Sequence, residues 1–229
     1  KTAYEITYGD WSSDVCSSDL QPDLGTVLII AASVVTMIAI SGAKTRWVIG
    51  LLTLGVTGIY LAVATGQVSE YQLRRLRSFV DPLADPQASG YQLRQARVTI
   101  GSGGLFGKGL FGGPQTNGRF VPEQHTDFIF TVSGEELGFL GSIIILILFM
   151  AILMRSFAIA RRTTDLFGKM VCVGVISWFS FQIFENIGMT MGLMPMTGVP
   201  LPFLSYGGSS MFATMIGIGL IQNVYQRSR

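Results

Sequence analysis

Charged residues are scarce in this chain. Lysine, arginine, aspartate and glutamate together make up 13% of its 229 residues, whereas a soluble domain carries about 25%. Hydrophobic residues make up 49% of the sequence, which places the chain in the membrane class rather than among soluble domains. The formal net charge is only +2, so the composition gives no reason to expect a nucleic-acid partner.

Cysteine and histidine are nearly absent. Cys172 lies inside an apolar run and Cys16 lies in a segment of different composition, so the sequence predicts no disulfide. The single histidine, His125, stands between Glu123 and Asp127. One histidine without a second ligand motif is a weak signal for a metal site.

Five mainly apolar runs predict helices. A helix needs about 20 residues to cross the hydrocarbon core of a bilayer, and the third and fifth runs reach that length only with flanking residues. The sequence therefore predicts an all-α polytopic membrane protein with about five transmembrane helices and a large extracytoplasmic loop between the second and third. The runs cover residues 24–41, 47–65, 139–154, 170–189 and 211–225.

The distribution of basic residues predicts the orientation. Lys44 and Arg46 separate the first two runs, four basic residues lie within 155–169, and two arginines end the chain. Short cytoplasmic loops carry an excess of lysine and arginine. The C-terminus is therefore expected in the cytoplasm and the long segment 66–138 on the outer side of the membrane.

Residues 1–20 differ in composition from the rest of the chain. Their portion WSSDVCSSDL resembles translated sequencing-adaptor read-through, and we leave the segment out of the fold prediction. The domain prediction is thus an artefactual segment 1–20 followed by a membrane domain 21–229. On this interpretation the complete protein has further N-terminal helices.

Two stretches are rich in glycine or proline. Residues 100–113, IGSGGLFGKGLFGG, lack the strand, helix and acidic residue of a dinucleotide site. They could form a phosphate-binding nest with Lys108 or a tight re-entrant turn. Residues 195–210, PMTGVPLPFLSYGGSS, carry no charge between two apolar runs, and they predict a structured plug at the outer mouth.

Glu185 and Asn186 lie near the outer end of the fourth run. Ionisable groups within membrane spans are often functional. Close to the interface, however, their cost falls, and snorkelling towards water is the favoured interpretation.

The stretch FVPEQHTDFIF, residues 120–130, leads into the third apolar run. Three interpretations remain open. Thr126 and Asp127 could cap the coming helix, or His125 and the acidic residues could bind a metal. Alternatively, a carboxylate at an apolar boundary is partly desolvated and becomes a stronger base.

Several motifs together resemble the SEDS family of bacterial cell-wall polymerases. They are QPDLGT, GYQLRQARVTIGSGGLFGKG, FVPEQHTDFIF, GEELGF and PLPFLSYGGSS, in family order over residues 21–229. The form of the acidic motif is similar to the rod-shape branch, RodA, more than to the division branch, FtsW. The resemblance implies a ten-helix protein that polymerises lipid II beside a class B penicillin-binding protein, and it places the catalytic aspartate at Asp127.

The resemblance covers only the C-terminal half of that architecture. A Glu/Lys pair that the family carries on an earlier helix has no counterpart here, so the chain is expected to be inactive alone. The family's division and shape functions both remain possible. Two other functions stay open: a flippase that moves lipid II between leaflets, and a non-catalytic scaffold for the penicillin-binding protein.

The implied reaction is an inverting transfer that releases undecaprenyl pyrophosphate. It requires one general base, for which we predict Asp127, and no covalent intermediate. Outer-loop cations could neutralise the leaving group, with or without Mg²⁺ or Mn²⁺. A milder, positional role is expected for Glu135 and Glu136. The predicted substrate-binding residues are Arg97, Lys108, Arg119, Glu123, His125 and Glu135.

Overall fold

The computed structural model describes residues 24–65, 89–118, 120–121 and 124–228. The segment 1–20 and two of the predicted site residues, Arg119 and Glu123, lie outside the described residues.

Helices are the only regular elements within these described ranges. Their bounds are α1 Leu24–Ile40, α2 Thr45–Ala64, α3 Ser89–Ser102, α4 Pro114–Asn117, α5 Ile129–Glu136, α6 Gly138–Arg162, α7 Leu166–Met191 and α8 Gly208–Arg227. The all-α fold class predicted from the sequence is confirmed.

The five predicted apolar helices correspond to α1, α2, α6, α7 and α8. The predicted end of the third helix was wrong, because α6 continues to Arg162 and Arg155 and Arg161 lie on it. Alanine, leucine, methionine and arginine all have high helix propensity, and Arg161 and Arg162 lie in the last turn, where a cation complements the helix dipole. The link to α7 is therefore short.

Helix α7 is the central element of the bundle. It packs against α1, α3, α6 and α8, and its N-terminus is capped by Asp165, whose carboxylate accepts hydrogen bonds from the backbone of Phe167 and Gly168. Its partners α6 and α8 contribute Phe149 and Ile221 to the same buried core as Phe179 of α7. This packing fixes the position of the C-terminal end of α7.

Two of the described helices, α6 and α7, are long and apolar enough to cross a membrane. Large apolar side chains on α6 are more than half exposed, among them Ile144, Ile147 and Leu148. Surfaces of this kind suit contact with lipid, because water would solvate them poorly.

The described part of the segment between α2 and α6 contains three helices that the sequence did not predict. Helices α3 and α5 pack against each other, and the glycine-rich turn that follows α3 lies on the end of α5. Any side chain at Gly103 or Gly107 would collide with backbone atoms of residues 134–137. The glycines in this stretch therefore permit two backbones to touch.

Candidate functional site

The acidic stretch forms a turn immediately before α5. Helix α5 begins at Ile129 with Phe128 as its N-cap, and the side chain of Phe128 makes no capping hydrogen bond. The interpretation of Thr126 and Asp127 as residues that cap the helix stays a prediction. The side chain of Asp127 is half-buried, and that of His125 is exposed.

The proline- and glycine-rich loop, residues 192–207, folds against this turn. The backbone N–H of Tyr206 donates to the carbonyl of His125 at 2.9 Å, and the hydroxyl of Ser205 donates to the carbonyl of Thr126. The same hydroxyl accepts a hydrogen bond from the Leu201 N–H at 2.7 Å. The hydroxyl contact joins two stretches across 79 positions of the chain, and the stretches thus form one continuous surface.

Asn186 of α7 joins the turn to the loop. Its side-chain amide Nδ2 donates to the carbonyl of Asp127 at 2.8 Å and to the carbonyl of Val199 at 2.7 Å. One turn earlier, Gln182 donates from Nε2 to the carbonyl of Pro200 at 2.8 Å. Helix α7 therefore binds both the turn and the loop through main-chain carbonyl oxygens.

The prediction that Glu185 and Asn186 snorkel towards water was wrong. Both side chains have a relative exposure of 0%. The reason is that the loop 192–207 returns over the end of α7 and covers it. The sequence did not predict this burial. The local sequence of a polar pair near the end of a span is the same whether or not a distant loop covers the pair.

Gly198 brings the loop backbone next to the proposed base. Its φ is +78°, a conformation that L side chains rarely adopt. A Cβ at this position would lie 3.2 Å from Oδ2 of Asp127. Glycine therefore allows the loop to turn while leaving room for the carboxylate.

Glu135 serves as an internal anchor. Its buried carboxylate accepts hydrogen bonds from the backbone N–H of Gln115 at 3.0 Å and of Thr116 at 2.8 Å, at the start of α4. The hydroxyls of Thr116 and Ser102 also donate to it, at 2.6 and 3.2 Å. This arrangement joins α3, α4 and α5, and it favours a positioning role over direct contact with a substrate.

These contacts determine the acidity of Glu135. Burial raises the pKa of its carboxyl, whereas the hydrogen bonds from Thr116, Gln115 and Ser102 lower it, and the net result lies below the ordinary value of 4.5. A lowered pKa in the folded state means that the carboxylate stabilises the fold above the unfolded pKa. That contribution is lost as the pH falls through the lowered pKa.

We expect Glu135→Gln to lower the stability of the full-length protein at neutral pH by about 1–3 kcal/mol. An amide would turn one N–H donor towards groups that themselves donate. Thermal unfolding in detergent should show a gap between the variant and the wild type that narrows towards acidic pH. The matched control is Glu136→Gln at the neighbouring buried carboxyl, and a gap of constant size across the pH range would contradict the assignment.

The predicted cations occupy different places. Arg97 of α3 donates from Nη2 to the carbonyl of Gly192 at 3.2 Å, where α7 ends in a left-handed residue. It therefore stands at the beginning of the loop 192–207. The side chain of Lys108 is exposed on the glycine-rich turn.

The backbone of that turn is largely satisfied within the protein. The N–H groups of Gly107, Lys108 and Gly109 donate to the carbonyls of Gly103, Glu135 and Glu136, at 2.9 to 3.0 Å. These bonds favour the tight turn over a phosphate-binding nest, which needs N–H groups directed at a ligand.

Comparisons with known proteins agree with one another. The FtsW/RodA/SpoVE family model, described as a cell cycle protein, matches residues 11–229, a range that includes the second half of the segment set apart by composition. The stage V sporulation protein E of Bacillus subtilis is 41% identical over 91% of this chain and 56% of its own length. The peptidoglycan glycosyltransferase MrdB of Escherichia coli is 40% identical over 90% of this chain and 55% of its own length.

A solved structure shows the same fold. A chain of a peptidoglycan synthase complex, described as coordinating polymerization and crosslinking, is 32% identical and superposes with a TM-score of 0.74. The match covers 91% of this chain and 57% of that one. The chain thus spans a little over half the length of the relatives that it matches.

Proposed function

This chain belongs to the FtsW/RodA/SpoVE family, which is the SEDS family, and on that premise we propose that the full-length protein is a peptidoglycan glycosyltransferase. It polymerises lipid II into glycan strands for cell-wall growth. The observation that supports this most directly is the half-buried carboxylate of Asp127. It lies beside Gly198 on a surface that Asn186 holds together.

Asp127 acts as the general base in a single displacement. The carboxylate takes the proton of the acceptor's 4-hydroxyl as that oxygen attacks the anomeric carbon of the donor. The bond from the anomeric carbon to the pyrophosphate oxygen breaks, and undecaprenyl pyrophosphate leaves as an anion. The α-linked donor becomes a β-linkage, so one inversion suffices and no carboxylate nucleophile is required.

The leaving pyrophosphate requires positive charge. Arg97 stands at the start of the loop that carries Gly198, and we assign it to the leaving group together with Lys108 and Arg119. Glu123 and His125 are assigned to the saccharide, because they flank the base in sequence. Glu135 supports the site indirectly, because its carboxylate accepts a hydrogen bond from the backbone of α4.

A divalent cation finds no evident protein ligands in the described part of the chain. No group of three or more His, Cys, Asp or Glu side chains comes together there. Glu123 lies outside these residues, so the metal interpretation of the acidic stretch stays a prediction. The reaction above is written without a metal.

We place the chain in the bacterial cytoplasmic membrane with α1, α2, α6, α7 and α8 as spans. The C-terminus then lies in the cytoplasm and the segment 66–138 outside, where lipid II is polymerised. Arginines in the last turn of α6 and α8 support this orientation. The similarity to a chain of a synthase complex supports a penicillin-binding protein of class B as the partner.

Reconstitution of the full-length protein with labelled lipid II tests the function. We expect glycan polymer to form in vesicles that contain no other enzyme. Exchange of lipid II between leaflets without polymer would instead identify a flippase. If neither occurs but the penicillin-binding protein still binds, the protein is a scaffold and the proposal fails.

A further inference from the structure

The glycine-rich turn contains a repeat that the proposed reaction does not use. Residues 104–112 read Gly-Leu-Phe-Gly, then Lys108, then Gly-Leu-Phe-Gly. We call these nine residues the Leu-Phe tip. Its four large apolar side chains are among the most exposed in the protein: Leu105 63%, Phe106 80%, Leu110 69% and Phe111 83%.

The tip is a folded element with its apolar side chains directed outward. Backbone hydrogen bonds attach Lys108 and Gly109 to the end of α5, and the side chain of Asn117 donates to the carbonyl of Phe111 at 2.9 Å. Phe111 has a φ of 60°, which is a rare conformation for a bulky residue. Strained backbone conformations cluster at functional sites. The exposed ring of Phe111 is therefore a candidate for a contact outside the fold.

The tip is attached to the first turn of α6. The N–H groups of Phe139 and Leu140, in the first turn of α6, donate to the carbonyls of Gly104 and Leu105 at 2.9 and 3.1 Å. The apolar surface continues from the tip onto this span, because Phe139 and Leu140 are themselves 57% and 46% exposed.

An apolar cavity lies beside the tip. It has a volume of about 300 Å³ and is lined in part by Gly104, Phe139, Ser142 and Leu146. A space of this character, next to the exposed face of a membrane span, suits an acyl chain. A contiguous exposed patch of this kind marks an interaction site.

We propose that the Leu-Phe tip inserts into the leaflet at the N-terminal end of α6 and binds phospholipid there. The four apolar side chains enter the boundary between headgroups and acyl chains. This contact fixes the height of α3, α4 and α5 above the membrane. It does not depend on the reaction proposed above.

Depth-dependent quenching tests this assignment. The full-length protein carries single cysteines at Phe106→Cys or Phe111→Cys, in a background with Cys16 and Cys172 replaced by alanine. Each is labelled with an environment-sensitive fluorophore in vesicles of phosphatidylglycerol and phosphatidylethanolamine that contain no other protein. The matched control is Arg94→Cys, an exposed polar position on α3. A single symmetrical peak in size-exclusion chromatography in detergent identifies folded variants.

At positions 106 and 111 we expect blue-shifted emission, strong quenching by lipids spin-labelled near the headgroup, and several-fold weaker quenching by aqueous iodide than at position 94. Iodide quenching equal to that at position 94 would place the tip in water and overturn the proposal. Protection from both quenchers would also overturn it, because protein would then cover the tip. Protection from iodide that appears only after a penicillin-binding protein is added would likewise overturn the proposal.

Discussion

Asp127→Asn is expected to abolish glycan synthesis by the full-length protein while its folding and membrane insertion remain intact. The amide has nearly the same shape as the carboxylate but cannot accept the proton of the acceptor hydroxyl. Loss of a general base typically costs about 10²–10⁴-fold in rate. The measurement is the amount of polymer formed from labelled lipid II in vesicles, with lipid II binding measured separately.

The fold supports a clean result for this variant. Asn186 and Ser205 bind the carbonyls of Asp127 and Thr126, so these two attachments of the turn remain when the carboxylate is replaced. Asp165→Asn is a matched control, because it makes the same change at the N-cap of α7. That control should leave the rate unchanged. Polymer formation by a folded Asp127→Asn protein at the rate of the control would remove Asp127 from the mechanism.

Asn186→Asp is expected to have the second largest effect. The substitution keeps the size of the side chain but sets a carboxylate oxygen against the carbonyls of Asp127 and Val199, at a position with no exposure to water. Leaving a buried polar group without its partner costs about 1–3 kcal/mol. We expect both lower thermal stability and a loss of polymerisation, because the turn and the loop separate.

A comparison with Gln182→Glu distinguishes positioning of the base from general stability. Gln182 binds the loop at Pro200, whereas Asn186 binds both the loop and the carbonyl of Asp127. Both variants should unfold at lower temperatures, whereas only Asn186→Asp should strongly reduce kcat at saturating lipid II. If kcat falls equally in the two variants, Asn186 has no special connection to Asp127.

The sequence was informative where the chain is locally apolar. The helices α1, α2, α6, α7 and α8 follow from hydrophobic runs, although the end of α6 had to be corrected because arginine continues a helix readily. Helix α3 was not predicted. Its buried residues include Ala96 and Thr99, yet its polar composition resembles that of a loop.

The candidate site depended on contacts that local patterns do not contain. Asn186 donates a hydrogen bond to the carbonyl of Asp127 across 59 positions of the chain. The residues around Asn186 and Asp127 contain no pattern that predicts this contact. The motifs also indicate the family better than the cellular role. Relatives named for sporulation and for cell-wall synthesis match at 41% and 40% identity, so the RodA-like form of the acidic motif remains a prediction about elongation.

The attachment of Asn186 to main-chain oxygens has an evolutionary consequence. Peptide carbonyls are present whatever the side chain, so positions 127 and 199 can each change residue without breaking the joint between turn and loop. A descendant with another functional group at either position would present it at the same place in space. The side chains at positions 127 and 199 can therefore change their chemistry while the hydrogen bonds that join the turn to the loop are kept.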